Sequence, residues 1–209
     1  MGSSPVALMV VALLALLEAE RRGSLLGKAI FKPLASLGFV GVALGRLAAG
    51  EAVSGLLLAG LVLGAVGDAL LIPRSRRAFV AGMGAFMAGH LCYAALFLGR
   101  GVDGGAMAVT ALGLLAVGLP GMRWLWGRMD EPRLRVPVAV YAVIIGGMAA
   151  TAVGTWAHSR ADALLLGATL FVASDLAVAR NRLIQPAFLN RLVGLPLYYA
   201  GQCLLAAWV

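Results

Sequence analysis

Residues 56–72 read LLLAGLVLGAVGDALLI, an apolar segment that contains a single carboxylate, Asp68. A run of about 20 apolar residues can cross the hydrocarbon core of a bilayer as a helix. Residues 163–179, ALLLGATLFVASDLAVA, repeat the pattern around Asp175. A charged side chain in hydrocarbon costs about 3 kcal/mol or more, so an intramembrane aspartate is a candidate functional residue. The two matched aspartates are the first indication of what this chain does.

The composition predicts a polytopic membrane protein. Of 209 residues, 62% are hydrophobic and 12% are charged, whereas about a quarter are charged in a soluble domain. The net charge is +8, but the arginines lie between apolar runs. This placement indicates membrane topology, and we expect no nucleic acid partner. Cys92 and Cys203 both lie in apolar runs and are interpreted as packing residues.

The apolar runs predict an all-α fold, a bundle of eight transmembrane helices in one transmembrane domain over residues 1–209. The predicted helices span residues 5–17, 30–47, 53–72, 79–98, 106–122, 136–156, 161–179 and 189–208. The first run is short but lacks the basic segment of a signal peptide, so we expect a retained span.

Basic residues predict the orientation. The loops after the first, third, fifth and seventh helices hold 14 of the 17 Lys and Arg residues, and such loops face the cytoplasm. They include the basic cluster of Arg74, Arg76 and Arg77, which follows Asp68. We therefore expect a multi-pass protein of the cell inner membrane with both termini on the non-cytoplasmic side. Both aspartates would then lie toward the cytoplasmic leaflet.

Other polar residues converge on the same half of the membrane. His90 and Tyr93 share a face of the fourth predicted helix, and Tyr198 and Gln202 form an i, i+4 pair on the eighth. The cluster predicts a cup that opens toward the cytoplasm or the inner leaflet. For any one of these residues the alternative is a structural hydrogen bond, because buried polar groups need partners.

The chemistry is narrowed by the motifs that the sequence lacks. It contains no GxSxG, P-loop or HExxH motif. A pair of carboxylates in an apolar pocket tends to share one proton, which supplies one acid and one base. An intramembrane aspartyl protease would use such a pair too, but the residues that end at Asp68 read AVGD and not GxGD. We expect no metal or other cofactor, although two aspartates and His90 could hold one.

Five motifs resemble those of a known family. They are FKPL at 31–34, GDxxL at 67–71, FxxGMxxFxxxHxxY at 79–93, GAxxFxxSDL at 167–176 and YYxxQ at 198–202. Over nearly the whole chain, and in this order, they resemble the YhhN-type lysoplasmalogenase family. The resemblance implies an integral membrane hydrolase that cleaves the vinyl ether bond of lysoplasmalogens. Its products would be a fatty aldehyde and glycerophosphoethanolamine or glycerophosphocholine.

The residues suit that reaction. Vinyl ether hydrolysis needs an acid that protonates carbon and a carboxylate that stabilises the resulting cation and deprotonates water. We hypothesise that Asp68 and Asp175 share these roles, in an order that the sequence leaves open. The residues expected to position water and the glycerol are His90, Tyr93, Tyr198, Tyr199 and Gln202. Lys32, with Arg182 or Asn181, is expected to hold the phosphate. The alternative for the two basic residues is that they only set the orientation of the chain in the membrane. Tyr141 is a weaker candidate, interpreted as an interfacial anchor.

The expected partners are a lysophospholipid substrate and the membrane lipids, and the sequence defines no oligomeric state. A lipid or small-molecule transporter is the alternative function, because paired intramembrane carboxylates can couple proton movement. The similar third and seventh helices are also consistent with an internal repeat. However, residues 56–63 and 163–170 are nearly bare of polar groups, so no polar path crosses the membrane. The sequence therefore favours the enzyme.

Overall fold

The computed structural model describes residues 3–73 and 75–208, which are helical throughout apart from short connections. Arg74, predicted to belong to the basic cluster after Asp68, lies outside the described residues. The eight α-helices are α1 (Ser3–Arg21), α2 (Leu25–Ala48), α3 (Gly55–Leu70), α4 (Arg76–Gly99), α5 (Gly104–Trp126), α6 (Arg135–Ser159), α7 (Asp162–Ala179) and α8 (Phe188–Ala207). A 3₁₀ turn (Pro132–Leu134) precedes α6 and a π-helical turn (Arg180–Ile184) follows α7. The all-α class and the number of helices, eight, are confirmed for these residues, and the crossing of the membrane by all eight stays a prediction.

Among the described residues, five helical segments are long and apolar enough to cross a membrane. They are α2, α4, α5, the segment Pro132–Ser159 that contains α6, and the segment Asp162–Ile184 that contains α7. The apolar helix α3 is shorter, at 16 residues. These helices are those of an integral membrane protein.

Short polar residues fix where several helices begin. The N-caps Ser24, Ser54, Ser75 and Asp103 each accept a hydrogen bond from a backbone N–H two or three residues later. Such caps satisfy amides that lack a partner within the helix. Positive φ angles follow the ends of α1, α2 and α4, at Gly23, Gly50 and Gly101, where glycine avoids the strain of a β-carbon.

Helix α8 packs against α1, α2, α3 and α7, while α4 packs on α3 and α6. Aromatic side chains fill the space between α4, α7 and α8. The ring centroids of Phe171 and Tyr198 are 5.3 Å apart, and those of Phe86 and Phe171 are 6.4 Å apart, both edge to face. This geometry is favourable for aromatic pairs.

Glycines on α3 let its neighbours come close. A β-carbon at Gly60 would collide with the Tyr93 ring, and one at Gly67 would lie 2.7 Å from the Phe86 ring. The small-residue stripe of α3 thus admits aromatic side chains of α4 directly against the backbone. In contrast, α5 packs along α6 and has no buried residue.

Candidate active site

The first half of the site is an ion pair at the end of α3. The Lys32 ammonium lies 3.1 Å from Asp68 Oδ1 and donates a second hydrogen bond of 3.1 Å to the Asp68 carbonyl. The Ser36 hydroxyl donates to Asp68 Oδ2 at 2.7 Å. All three residues are buried. Lys32 and Ser36 are one turn apart on α2, so this helix supplies a donor to each oxygen of the Asp68 carboxylate.

The second half of the site joins α4, α6 and α7. The Tyr141 hydroxyl donates to Asp175 Oδ2 at 2.7 Å, and His90 Nε2 lies 3.2 Å from the same oxygen. The other ring nitrogen of His90, Nδ1, lies 3.2 Å from the sulfur of Met148. The His90 side chain is fully buried, whereas the Asp175 side chain is 15% exposed. Asp175 and Tyr141 are therefore partly exposed, whereas His90 is not.

Both aspartates line one apolar cavity of about 200 Å³. Its walls come from α2 to α8 and include Phe79, Met83, Phe86, Leu125, Ile145, Val172 and Tyr198. No hydrogen bond links the two carboxylates in the part of the chain that the structure describes. Each has its own donors instead, so a shared proton between them stays a prediction.

A polar cavity of about 470 Å³ adjoins the apolar one. The two cavities share several lining residues, among them Lys32, Phe79 and Arg191. The charged side chains described at the polar cavity are Glu20, Lys28, Lys32, Arg182 and Arg191. The ammonium of Lys32 thus lies at the junction, beside the Asp68 carboxylate.

Four of the five predicted positioning residues are buried and do not line either cavity: His90, Tyr93, Tyr199 and Gln202. The Tyr93 hydroxyl donates to Gln202 Oε1 at 2.7 Å, and Gln202 Nε2 donates to the Tyr198 hydroxyl at 3.3 Å. The Tyr199 hydroxyl donates to the Lys32 carbonyl at 3.2 Å. Tyr198 lines the apolar cavity. Gln202 and Tyr93 can therefore hold the Tyr198 hydroxyl in place, and Tyr199 can brace α2 at Lys32.

The two candidates after α7 both line the polar cavity. The Arg182 guanidinium lies over the Phe79 ring, 4.8 Å from its centroid, at a cation–π distance. The Asn181 amide oxygen accepts hydrogen bonds from the Ala187 N–H at 3.1 Å and from Asn190 Nδ2 at 3.4 Å. Asn181 thus ties the π-helical turn to the start of α8.

The sequence indicated some site residues only weakly or not at all. Ser36 follows Lys32 by four residues, a spacing that could have drawn attention to it. Tyr141, interpreted as an interfacial anchor, in fact donates to Asp175. No pattern in the sequence predicts that Glu20, Lys28 and Arg191 line one cavity, because they lie on three different helices.

These observations define a polytopic α-helical membrane protein with two carboxylates in one apolar cavity. The YhhN family model matches residues 27–209, so the chain belongs to the YhhN family. The resemblance predicted from the five motifs is confirmed. No solved structure matches the chain.

The relatives carry one common name. The chain is 35% identical to a lysoplasmalogenase of Mycobacterium bovis over 160 residues, which are 72% of this chain and 59% of the relative. It is 34% identical to lysoplasmalogenase TMEM86A of Bos taurus over 158 residues, 70% of this chain and 62% of the relative. The human TMEM86A lysoplasmalogenase is 33% identical over 156 residues, with the same coverage of 70% and 62%. The chain thus spans less than two thirds of the length of these relatives.

Proposed function

We propose that this protein is a lysoplasmalogenase, a hydrolase that cleaves the vinyl ether bond of a lysoplasmalogen into a fatty aldehyde and a glycerophospho-alcohol. The observation that carries the proposal is the pair of aspartates on one apolar cavity. It is supported by the family and by the names of the relatives. Those names give no support to the transporter alternative.

In this proposal all eight helices cross the membrane. The helices α1 and α8 have 19 and 20 residues, enough for a span. The helix α3 is about 24 Å long, and Leu71 and Ile72 extend its apolar run. The basic excess supports non-cytoplasmic termini and a site toward the cytoplasmic leaflet. The exposed apolar side chains of α5, such as Val109, Leu112 and Val117, would face lipid.

The two cavities suit the two ends of the substrate. The hydrocarbon chain would occupy the apolar cavity, and the phosphate would occupy the polar cavity near Lys32 and Arg182. Three glycerol carbons separate the phosphate from the ether oxygen. The vinyl ether would therefore lie near the junction, where Asp68 and Lys32 meet.

The different surroundings of the aspartates favour different roles. Both hydrogen-bonding contacts of Asp175 use Oδ2, and its side chain is partly accessible. In our proposal a protonated Asp175 donates its proton to the alkenyl carbon that is not bonded to oxygen. The double-bond electrons form the new C–H bond, and an oxocarbenium ion results. Asp68, held by Lys32 and Ser36, supplies a fixed negative charge that stabilises this cation.

The second stage restores the acid. Water adds to the oxygen-bonded carbon, and the Asp175 carboxylate takes the proton that the water loses. The hemiacetal then collapses, its hydroxyl proton is transferred to the glycerol oxygen, and the aldehyde leaves. His90 and Tyr141, both in contact with Asp175 Oδ2, orient the carboxyl group in both stages.

The test is aldehyde release from a lysoplasmalogen by the purified protein in detergent. We expect the wild type to be active and Asp68→Asn and Asp175→Asn to lose about 10²–10⁴-fold in rate. Asp130→Asn is the matched control, because Asp130 is exposed and outside both cavities. A parallel reaction with a chelator checks for a metal requirement. Wild-type rates in both site variants would refute the catalytic assignment, and a folded but inactive wild type would refute the substrate.

A further inference from the structure

We infer that the polar cavity binds the lipid headgroup and selects a phosphoethanolamine over a phosphate monoester. In this inference the Glu20 carboxylate binds the ammonium group. The inference rests on the proposed function for the identity of the lipid. It adds a specificity residue from α1 that neither the motifs nor the catalytic aspartates indicate.

Glu20 lies between two cations contributed by other helices. Its Oε2 is 2.7 Å from the Lys28 ammonium on α2 and 4.0 Å from Arg191 Nε on α8. The side chains of Glu20 and Lys28 are only 11% and 13% exposed, so this carboxylate is largely withdrawn from water. Both ion pairs use Oε2, and Glu20 itself lines the polar cavity.

The charges around the cavity match a zwitterion. Four described basic side chains and one carboxylate line it, so the excess positive charge favours a phosphate. A ligand that carried only phosphate would be repelled by Glu20. A phosphoethanolamine carries an ammonium group two carbons from its phosphate. It would place the ammonium against Glu20 and the phosphate against the basic side chains. The carboxylate therefore discriminates by penalising the wrong headgroup as well as by binding the right one.

The same cavity favours a primary ammonium over a quaternary one. Quaternary ammonium groups such as choline are recognised by cages of several aromatic rings. The aromatic residues described at the polar cavity are Phe79 and Phe188, and the Arg182 guanidinium already lies over Phe79. A primary ammonium can instead donate hydrogen bonds to the Glu20 carboxylate.

Glu20 also lies ahead of residues 27–209, the part of the chain that the family model matches. Lys28 and Arg191 lie within the matched range. The basic residues proposed to bind the phosphate lie on α2, on α8 and in the turn after α7, whereas the carboxylate proposed to bind the ammonium lies on α1.

The experiment measures binding and not turnover. Saturated 1-O-alkyl lysolipids contain no vinyl ether, so they cannot be protonated at carbon. We would titrate versions with phosphoethanolamine, phosphocholine, phosphate alone or a free hydroxyl into the full-length protein in detergent. Soluble glycerophosphoethanolamine, tested beside them, shows whether the site takes the headgroup without a lipid chain.

We expect the wild type to bind the phosphoethanolamine lipid most tightly. Glu20→Gln should lower the ratio of phosphoethanolamine to phosphate affinity about tenfold or more, the effect of losing one charged hydrogen bond. Lys28→Gln should weaken the binding of all three phosphate-containing lipids. Glu18→Gln is the matched control, because Glu18 is two residues away on α1 and pairs with Arg21 and Arg22 outside the cavity.

Two results would overturn the inference. One is a wild type that binds the phosphate monoester as well as the phosphoethanolamine lipid, a result that needs no variant to fold. The other is a folded Glu20→Gln variant with the same affinity ratio as Glu18→Gln. Failure of the proposed function is distinct, since it would appear as absent aldehyde release by a protein that still discriminates between the saturated lipids.

Discussion

Replacing Lys32 by methionine should destabilise the protein strongly, because it leaves the buried Asp68 carboxylate without its cation. The ammonium and the carboxylate are 3.1 Å apart, and the two side chains are only 6% and 4% exposed. Removing one partner of such a pair costs about 3–5 kcal/mol. The hydrogen bond from Ser36 to Asp68 remains and offsets part of the loss. We therefore expect about 3 kcal/mol for Lys32→Met.

The assay is thermal unfolding of the purified variants in detergent. For a chain of this size, 1 kcal/mol shifts the melting temperature by about 2–4 °C, so Lys32→Met should melt about 6–12 °C below the wild type. The double variant Lys32→Met/Asp68→Asn removes both charges and should recover most of that loss. A double-mutant cycle with Asp68→Asn then gives a coupling energy of about 2 kcal/mol or more.

The control is Arg77→Met, which removes an exposed cation in the first turn of α4. We expect it to melt within about 2 °C of the wild type, because surface charges away from specific contacts contribute within about 0.5 kcal/mol. A Lys32→Met variant as stable as Arg77→Met would refute the reasoning. So would a double variant whose loss equals the sum of the two single losses.

Three further predictions concern neighbouring residues. Gly64→Ala should lower the free energy of unfolding by about 1–3 kcal/mol, because the added β-carbon would collide with Gln202 Nε2. The control in thermal unfolding is Gly113→Ala on α5, where an added β-carbon has no neighbour within 4 Å. Tyr141→Phe removes the hydroxyl that donates a 2.7 Å hydrogen bond to the α7 aspartate. It should lower kcat about 10–100-fold with an unchanged melting temperature, and an unchanged kcat would contradict the positioning role of this hydroxyl. Ser36→Ala should cost about 1–3 kcal/mol in melting experiments, and no loss would mean that its hydroxyl does not stabilise the α3 carboxylate.

The helices were predictable because apolar length alone identifies membrane spans, but their ends were not. The first helix was predicted to end at residue 17, yet α1 continues to Arg21. Glu18 forms ion pairs with Arg21 and Arg22 at helical spacing, and these polar residues extend the helix beyond its apolar part. Similarly, α4 begins at Arg76 because Ser75 caps it.

The two aspartates were predictable for a related reason. A carboxylate within an apolar run needs a compensating partner, so Asp68 and Asp175 stand out in the sequence. The sequence does not show which residue pairs with which aspartate, because pairing depends on how the helices pack. Tyr141 precedes Asp175 by 34 residues, and only the packing of α6 against α7 brings them together.

The cavities depend still more on packing. The charged group of the polar cavity combines Glu20 of α1, Lys28 of α2 and Arg191 of α8. In the sequence, Lys28 and Arg191 are two of the many basic residues that indicate topology. The spacing does not distinguish a basic residue that sets the membrane orientation from one that binds a ligand, since both kinds lie at the same end of the helices. Only the arrangement of α1, α2 and α8 around one space distinguishes them.

The ion pair of Lys32 and Asp68 is better explained by chemistry than by stability. A buried ion pair often contributes little, since apolar residues of similar volume can replace it without loss or even with gain. If stability were the purpose, the pair would not need to line a cavity, yet both residues line the apolar one and Lys32 also lines the polar one. A phosphate in the polar cavity would share the Lys32 ammonium with Asp68. Substrate binding would then strengthen the field of the Asp68 carboxylate at the junction, where the proposed cation forms. This coupling predicts that Lys32 variants change both KM and kcat, whereas Lys28 variants, which act on headgroup binding and not on Asp68, change mainly KM.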